Sequence, residues 1–185
     1  MYWANGFLAQ QDIVAEFHEA IARLPELDPY TLTLSPLSND QVVYLACRNS
    51  QSPLGFTFRI GMQLPAVFTA TGKMMLSALS AAEVQALLPQ FPPPYTERSV
   101  QSHTELADEL AGCRRQGYAL DDGQLRRGMH CFGTAVFDHA GQARFGVAAS
   151  LIEAEADEKT RQHLVDGLKK LAAQLTRTLG GQLPA

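Results

Sequence analysis

The stretch Leu64-Pro65-Ala66-Val67-Phe68-Thr69-Ala70-Thr71-Gly72-Lys73-Met74-Met75-Leu76 decides how this chain is read, because an extended Leu-Pro lead-in passes through small residues into a helix. A helix start lined by small side chains leaves its backbone N–H groups reachable, and such groups suit a carboxylate or a phosphate. The helix dipole favours an anion there by a fraction of a kcal/mol to about 2 kcal/mol. The residues alone favour an ordinary helix start in which Thr69 or Thr71 is the cap. A second informative stretch follows, Gly117-Tyr118-Ala119-Leu120-Asp121-Asp122-Gly123, and after it Gly128-Met129-His130-Cys131-Phe132-Gly133-Thr134-Ala135-Val136-Phe137-Asp138.

Outward from these stretches the chain alternates helical and strand patterns. Ile13, Val14, Phe17, Ile21 and Leu24 stand at helical spacing between Phe7 and Leu24, and Pro25 stops the run. Tyr30, Leu32 and Leu34 alternate with Thr31, Thr33 and Ser35, and Ser38-Asn39-Asp40 turns into Val42–Ala46, which reads as a hairpin. Leu54, Phe56, Phe58 and Ile60 alternate with Gly55, Thr57 and Arg59 as a further strand. Capping boxes at Ser80–Glu83 and Ser102–Glu105 open two helices, the second ending at Gly117, with Pro92-Pro93-Pro94 as a stiff loop between them. Met129–Phe137 and Ala143–Ser150 form strands joined by the turn Asp138–Gly141, and a helix from Asp157 to about Leu179 carries a leucine stripe. Such an order predicts an α+β domain, helices packed on an antiparallel sheet.

The chain has 185 residues, within the size of one domain, with 15 Lys plus Arg against 19 Asp plus Glu, a formal charge of −4. A mildly acidic balance argues against direct nucleic-acid binding, because phosphate contact needs clustered Lys and Arg; only Arg114-Arg115 and Arg126-Arg127 form tight basic pairs. No apolar run has the length to cross a bilayer, and the first residues lack the layout of a signal peptide, so a cytoplasmic location is expected. Cys47, Cys113 and Cys131 lie far apart, which excludes a disulfide framework and a zinc ribbon.

Other chemistries find little support. Gly72-Lys73 lacks the upstream glycine and the following Ser or Thr of a phosphate-cradling loop. His18, His103, His130, His139 and His163 show no paired ligand spacing, and His130 and Cys131, adjacent on a strand, point opposite ways, so no metal and no other cofactor is expected. No Gly-x-Ser-x-Gly nucleophile motif occurs.

In their order and separation, the two quoted stretches resemble the effector-binding domain of IclR-type bacterial transcriptional regulators, and the resemblance runs from the helix near Phe7 to Gly180 and Gly181. It implies a GAF-like arrangement, with residues 1–25 as a linker-type helix and residues 26–185 as the effector-binding domain. Relatives of this kind carry an N-terminal winged helix-turn-helix for which this chain offers no room, so the chain is expected to be the sensing half alone. DNA would be reached only through that missing module.

The resemblance also implies a pocket. Family members that bind small organic acids hold the carboxylate on backbone N–H groups at positions matching Ala70 and Thr71, and their other pocket positions match Asp121, Met129, Cys131, Ala148 and Ser150. Asp121 could accept a hydrogen bond from a ligand hydroxyl or from loop amides, and is otherwise a turn-forming residue. Some acid-binding members have serine where this chain has Ala148, glycine in place of Ala70, and acidic residues in place of Gly123 and Gln124. With Phe56, Leu64, Met129 and Phe132 as apolar wall, the pocket is expected to suit a somewhat larger organic or aromatic acid.

Three functions compete at this level. A ligand-sensing, self-associating regulator domain without catalysis leads, assembling as a homodimer or homotetramer. A GAF-like enzyme would use Cys131 as nucleophile with His130 or Asp121 assisting. A structural dimerisation module would fill the pocket with its own side chains. Tyr2, Trp3, Phe7 and Leu8 form an apolar cluster suited to covering a partner's surface.

Overall fold

The computed structural model describes residues 2–52 and 55–183 of the chain, with side chains from residue 12 onward. The alternating stretch after Pro29 becomes β1 (Thr31–Ser35), with Leu32 and Leu34 on one face and Thr31, Thr33 and Ser35 on the other, and all five are buried. Its polar face is therefore covered rather than solvated, and what covers it is the helix after the Leu-Pro lead-in.

The elements follow in the order α1 (Tyr2–Ala22), β1, β2 (Leu37–Ser38), β3 (Gln41–Val43), β4 (Ala46–Arg48), β5 (Gln63–Pro65), α2 (Ala70–Ser77), α3 (Ala81–Leu87), α4 (His103–Gln116), β6 (Ala119–Asp121), β7 (Met129–Phe137), β8 (Ala143–Ile152) and α5 (Glu158–Thr178). Five strands form one antiparallel sheet in the order β4-β1-β8-β7-β6, and β2-β3-β5 form a smaller one. The expected α+β class, an antiparallel sheet carrying helices, is what the chain adopts.

Strand alternation divides the core in two. On one face Leu32, Leu34, Phe132, Val147 and Ala149 meet Ile13 and Phe17 of α1 and Leu164, Leu168, Leu171 and Leu175 of α5. Each buried leucine of that stripe contributes about 2 kcal/mol relative to exposure. The opposite face, with Cys131, Ala135 and Ala119, meets α2 and α4. The helix caps read from sequence are in place: Ser80 and Glu83 bond reciprocally, the Ser102 side chain accepts from the Glu105 amide, and Gly117 ends α4 at φ 73°. Glu105 reaches back to the Gln101 amide rather than to Ser102, so the second box is offset by one residue.

The hairpin expected about Ser38–Asp40 is present but interrupted: Leu37 pairs with Val42 and Leu34 with Ala46, so one arm divides into β2 and β1 and the other into β3 and β4, with the break at Pro36, which has no N–H to donate. β1 also pairs with β8 on its other edge. Two other expectations need correction. Residues 55–60 form no strand: Phe58 is buried, Ile60 stands exposed, and the segment is held by single bonds such as Phe58 N–H to Asn49 Oδ1 at 2.9 Å. Leu54, part of that expectation, lies outside the described residues. Phe132 packs on the α5 face beside Tyr118, not in the pocket, since it follows Cys131 by one strand position.

Candidate functional site

The site is built on cross-strand rows of small and polar residues. Asp121 of β6 pairs with Cys131 of β7, and Cys131 with Ser150 of β8, so the three side chains share the α2 face. In the next row Thr33 pairs with Ala148 and Ala148 with Gly133. Cys131 Sγ lies 3.0 Å from Ser150 Oγ.

Small residues in these rows let α2 rest directly on the sheet. A Cβ on Gly133 would come 3.0 Å from the Thr71 nitrogen, and one on Gly146 would meet the Thr71 Cβ at 2.5 Å. Thr69 is the N-cap, its hydroxyl accepting from the Gly72 amide at 3.1 Å, which settles the choice between the two threonines. The Thr71 hydroxyl instead accepts a hydrogen bond from Ser35 Oγ at 3.1 Å. Among the described residues the amides of Ala70 and Thr71 have no hydrogen-bond acceptor, as expected of the first two positions of a helix.

Asp121 faces them. Its Oδ1 accepts from the amides of Gly123, Gln124 and Leu125 at 3.1, 2.7 and 3.2 Å, and these bonds shape the turn that follows β6. Its Oδ2 is buried with no partner among the described residues. Burial pushes the carboxyl up to about 6, against the pull of the Lys73 ammonium and the three amides. That turn is clamped from outside, where Thr96 and Ser99 donate to the carbonyls of Gly123 and Gln124, each at 2.7 Å.

Ala70, Thr71, Asp121, Cys131, Ala148 and Ser150 line one cavity of about 10 Å³, together with Thr33, Tyr44, Thr69 and Leu125. The remaining three expected residues do not line it. Met129 is buried in the same apolar cluster, one strand pair beyond Cys131; Leu64 pairs with Val42 in the small sheet; and Phe56 sits under the Arg126 guanidinium, 5.3 Å from its ring centre. Phe56 lies outside because the segment expected to be a strand does not join the large sheet. The lining is thus richer in hydroxyls than the sequence reading anticipates, and the volume holds about one water.

Sequence reasoning missed four lining residues and one supporting one. Thr33 was legible in the alternation of β1, had its polar face been assigned inward. Tyr44 lies in the expected hairpin arm Val42–Ala46, at the point where that arm breaks into β3 and β4, and strand alternation does not say where such a residue points. Lys73 is the supporting residue: fully buried on α2, it contacts Glu109 of α4 at 2.6 Å and donates to the Leu120 carbonyl at 2.9 Å, next to Asp121.

A nucleophilic role for Cys131 does not fit this geometry. Burial, reinforced by the Asp121 charge, pushes the thiol well above its usual range, and a thiolate is what attacks. His130 belongs to the other strand face, with its ring 3.7 Å from Glu153. No group of three or more His, Cys, Asp or Glu suited to a metal occurs among the described residues.

Comparison with known proteins places this architecture. Residues 5–177 match the family described as bacterial transcriptional regulator IclR C-terminal. The chain belongs to the IclR family. The crystal structure of the Agobacterium tumefaciens repressor BlcR is similar at a TM-score of 0.88 and 48% identity, over 98% of this chain and 73% of that one. The HTH-type transcriptional regulators XynR and KdgR of Escherichia coli (strain K12) are 31% and 28% identical over 66% and 94% of the chain, which cover 49% and 66% of their own lengths. The chain therefore spans between about half and two thirds of those two relatives. Relatives are named as regulators, which agrees with a domain that performs no catalysis. No helix among the described residues is long and apolar enough to cross a membrane.

Proposed function

We propose that the chain is the effector-sensing and self-associating part of an IclR-type regulator, and that its effector is a compact organic acid bound between the α2 N-terminus and Asp121. The observation that carries this reading is the pairing, across one cavity, of two partnerless amides at a helix start with a buried carboxyl oxygen that also lacks a partner. The amides suit a carboxylate. The free Asp121 oxygen suits a hydroxyl donor at the ligand's other end, and the hydroxyls of Thr33, Tyr44 and Ser150 suit polar groups between them. Such a lining favours a small polar acid over an aromatic one. A guest larger than water enters by displacing Tyr44 and Leu125, the bulky walls that come from links between strands. Similarity to the repressor BlcR favours repression as the output. Residues 1–25 act as the linker helix toward a DNA-reading module, and DNA contact depends on that module, in keeping with a cytoplasmic protein.

The test is a thermal-shift titration with compact hydroxy and oxo acids, since a ligand bound only to the folded state raises its stability by mass action. Ala70→Pro probes the amide directly. Proline suits the first helical position, and Thr69 before it is already extended at φ −102° and ψ 145°, so the fold is expected to be retained. Losing one charge-assisted hydrogen bond of about 1.5–3 kcal/mol weakens acid binding at least tenfold. Unchanged affinity contradicts the helix-start site.

Two further outcomes concern partners. In gel-shift assays at physiological salt the chain alone is expected to give no sequence-specific retention of duplex DNA, its formal charge being −4. Specific, salt-sensitive retention would overturn this. The chain is expected to self-associate at micromolar concentration in sedimentation, as a dimer or a dimer of dimers, and a strict monomer defeats that. The apolar cluster Tyr2, Trp3, Phe7 and Leu8 has side chains outside the described residues; further along α1, Ile13, Phe17 and Ile21 are buried within the chain.

A further inference from the structure

A second and larger cavity, of about 470 Å³, opens at the other end of α2. Its volume falls in the range of small-molecule sites, which run from about 300 to 1,000 Å³. The floor is apolar, made by Met74, Cys113, Phe137 and Ala172. Three cations, Arg114, Arg115 and Lys169, stand at its exposed rim, and no Asp or Glu is among the residues that line it.

The C-termini of α2 and α4 both end at this cavity, and each brings a partial negative charge of about half a unit. Arg114 meets the first by donating to the Ser77 carbonyl at 2.6 Å, and Lys169 meets the second by donating to the Gln116 carbonyl at 3.2 Å. Three full positive charges outweigh those two partial ones, so the rim stays positive. A guanidinium has five N–H donors and an ammonium three, and the bonds to carbonyls leave donors on each side chain for a ligand. An apolar floor below a cationic rim is complementary to an anion with a hydrophobic body.

We propose that this cavity is a second ligand site, which takes a carboxylate carrying an alkyl or aryl body. The acid group lies at Arg114, Arg115 and Lys169, and the body lies on Met74, Phe137 and Ala172. Two features separate it from the first cavity: its volume, about 470 Å³ against 10 Å³, and its apolar floor where the first is lined with hydroxyls. α2 reaches both, with Ala70 and Thr71 at one cavity and Met74, Ser77 and Ala78 at the other. The domain would thus have two inputs on one helix. The second site stands on its own observations and does not require the first to bind an acid.

Calorimetric titration of the chain with decanoate tests it. Saturable binding of one decanoate per chain is expected, with affinity falling as salt rises. Ala78 is exposed at the end of α2, so Ala78→Trp fills the groove without entering the core, and it is expected to weaken decanoate at least tenfold. Arg115→Glu reverses a rim charge on an exposed side chain and is expected to cost about fivefold; it keeps the test decisive if the tryptophan variant does not fold. Absence of saturable binding at millimolar decanoate, or equal binding by both variants and the parent, overturns the proposal. Loss of binding in Asp121→Asn but in neither groove variant would put decanoate in the first cavity and likewise overturn it.

Discussion

Gly146→Val is expected to destabilise the domain by about 3 kcal/mol, the upper end of what overpacking a filled core costs. At this chain length that corresponds to a fall in Tm of roughly 10 °C. The cause is local: even a Cβ at this position would sit 2.5 Å from the Thr71 Cβ and 3.1 Å from its Cα, and a β-branched side chain is larger still. The Thr71 side chain cannot give way by itself, because its Cβ is fixed to the helix backbone and its hydroxyl is held by Ser35 Oγ. The helix must therefore lift from the sheet, and the acid site at its N-terminus is expected to be lost with it. Gly112→Ala is the internal control. An added Cβ there meets only the Arg115 side chain at 3.9 Å, in a helix interior where alanine is favoured over glycine by up to about 1 kcal/mol. Thermal unfolding of both variants should move Tm in opposite directions. A Gly146→Val protein with the Tm of the parent would mean that α2 does not rest on β8 as described.

Asp121→Asn is expected to raise stability at neutral pH and to remove a pH dependence that the parent shows. The folded carboxyl titrates at about 6, above its ordinary value of 3.8, so the fold favours the neutral form. The stability gained from that form is full below about 3.8, declines as pH rises toward 6, and is absent above it. A shift of this size is worth about 3 kcal/mol. The amide keeps an oxygen for the three turn amides and has no charge to bury. It does place an N–H₂ donor where Oδ2 stood, and leaving that donor without a partner offsets part of the gain. Urea unfolding of both proteins from pH 4 to 8 should show the parent losing ground to the variant between about pH 4 and 6, with a constant gap beyond. Parallel profiles across the range would contradict the buried, partnerless state of Asp121.

The large elements were legible because their signals are local. The α5 leucine stripe, the Ser80 box and the Gly117 stop each depend on residues within a turn or two, and each appears where the pattern puts it. The segment 55–60 misled because alternation records only which residues could share a face; no neighbouring strand is placed to pair with it. The alternation of β1 left the fate of its small-polar face open for a similar reason, since nothing in five residues says that α2 will cover it. Six of the nine expected site residues meet in one cavity because they lie on α2 and on adjoining strands in fixed register. Phe56 and Leu64 were placed by apolar character, which the core shares, and Met129, placed by the resemblance, lies one strand pair beyond the cavity in that core. Lys73 was passed over because a lysine in a helix is ordinarily exposed; its burial depends on Glu109 and the Leu120 carbonyl, which are remote in sequence.

Binding of an acid between the α2 amides and Asp121 can be followed residue by residue in backbone amide NMR of the chain titrated with a compact hydroxy acid. The largest shift changes are expected at the Ala70 and Thr71 amides, accompanied by those of Gly123, Gln124 and Leu125, whose N–H groups bond the Asp121 carboxylate. Saturable binding that leaves Ala70 and Thr71 unmoved and shifts other parts of the chain would contradict that site.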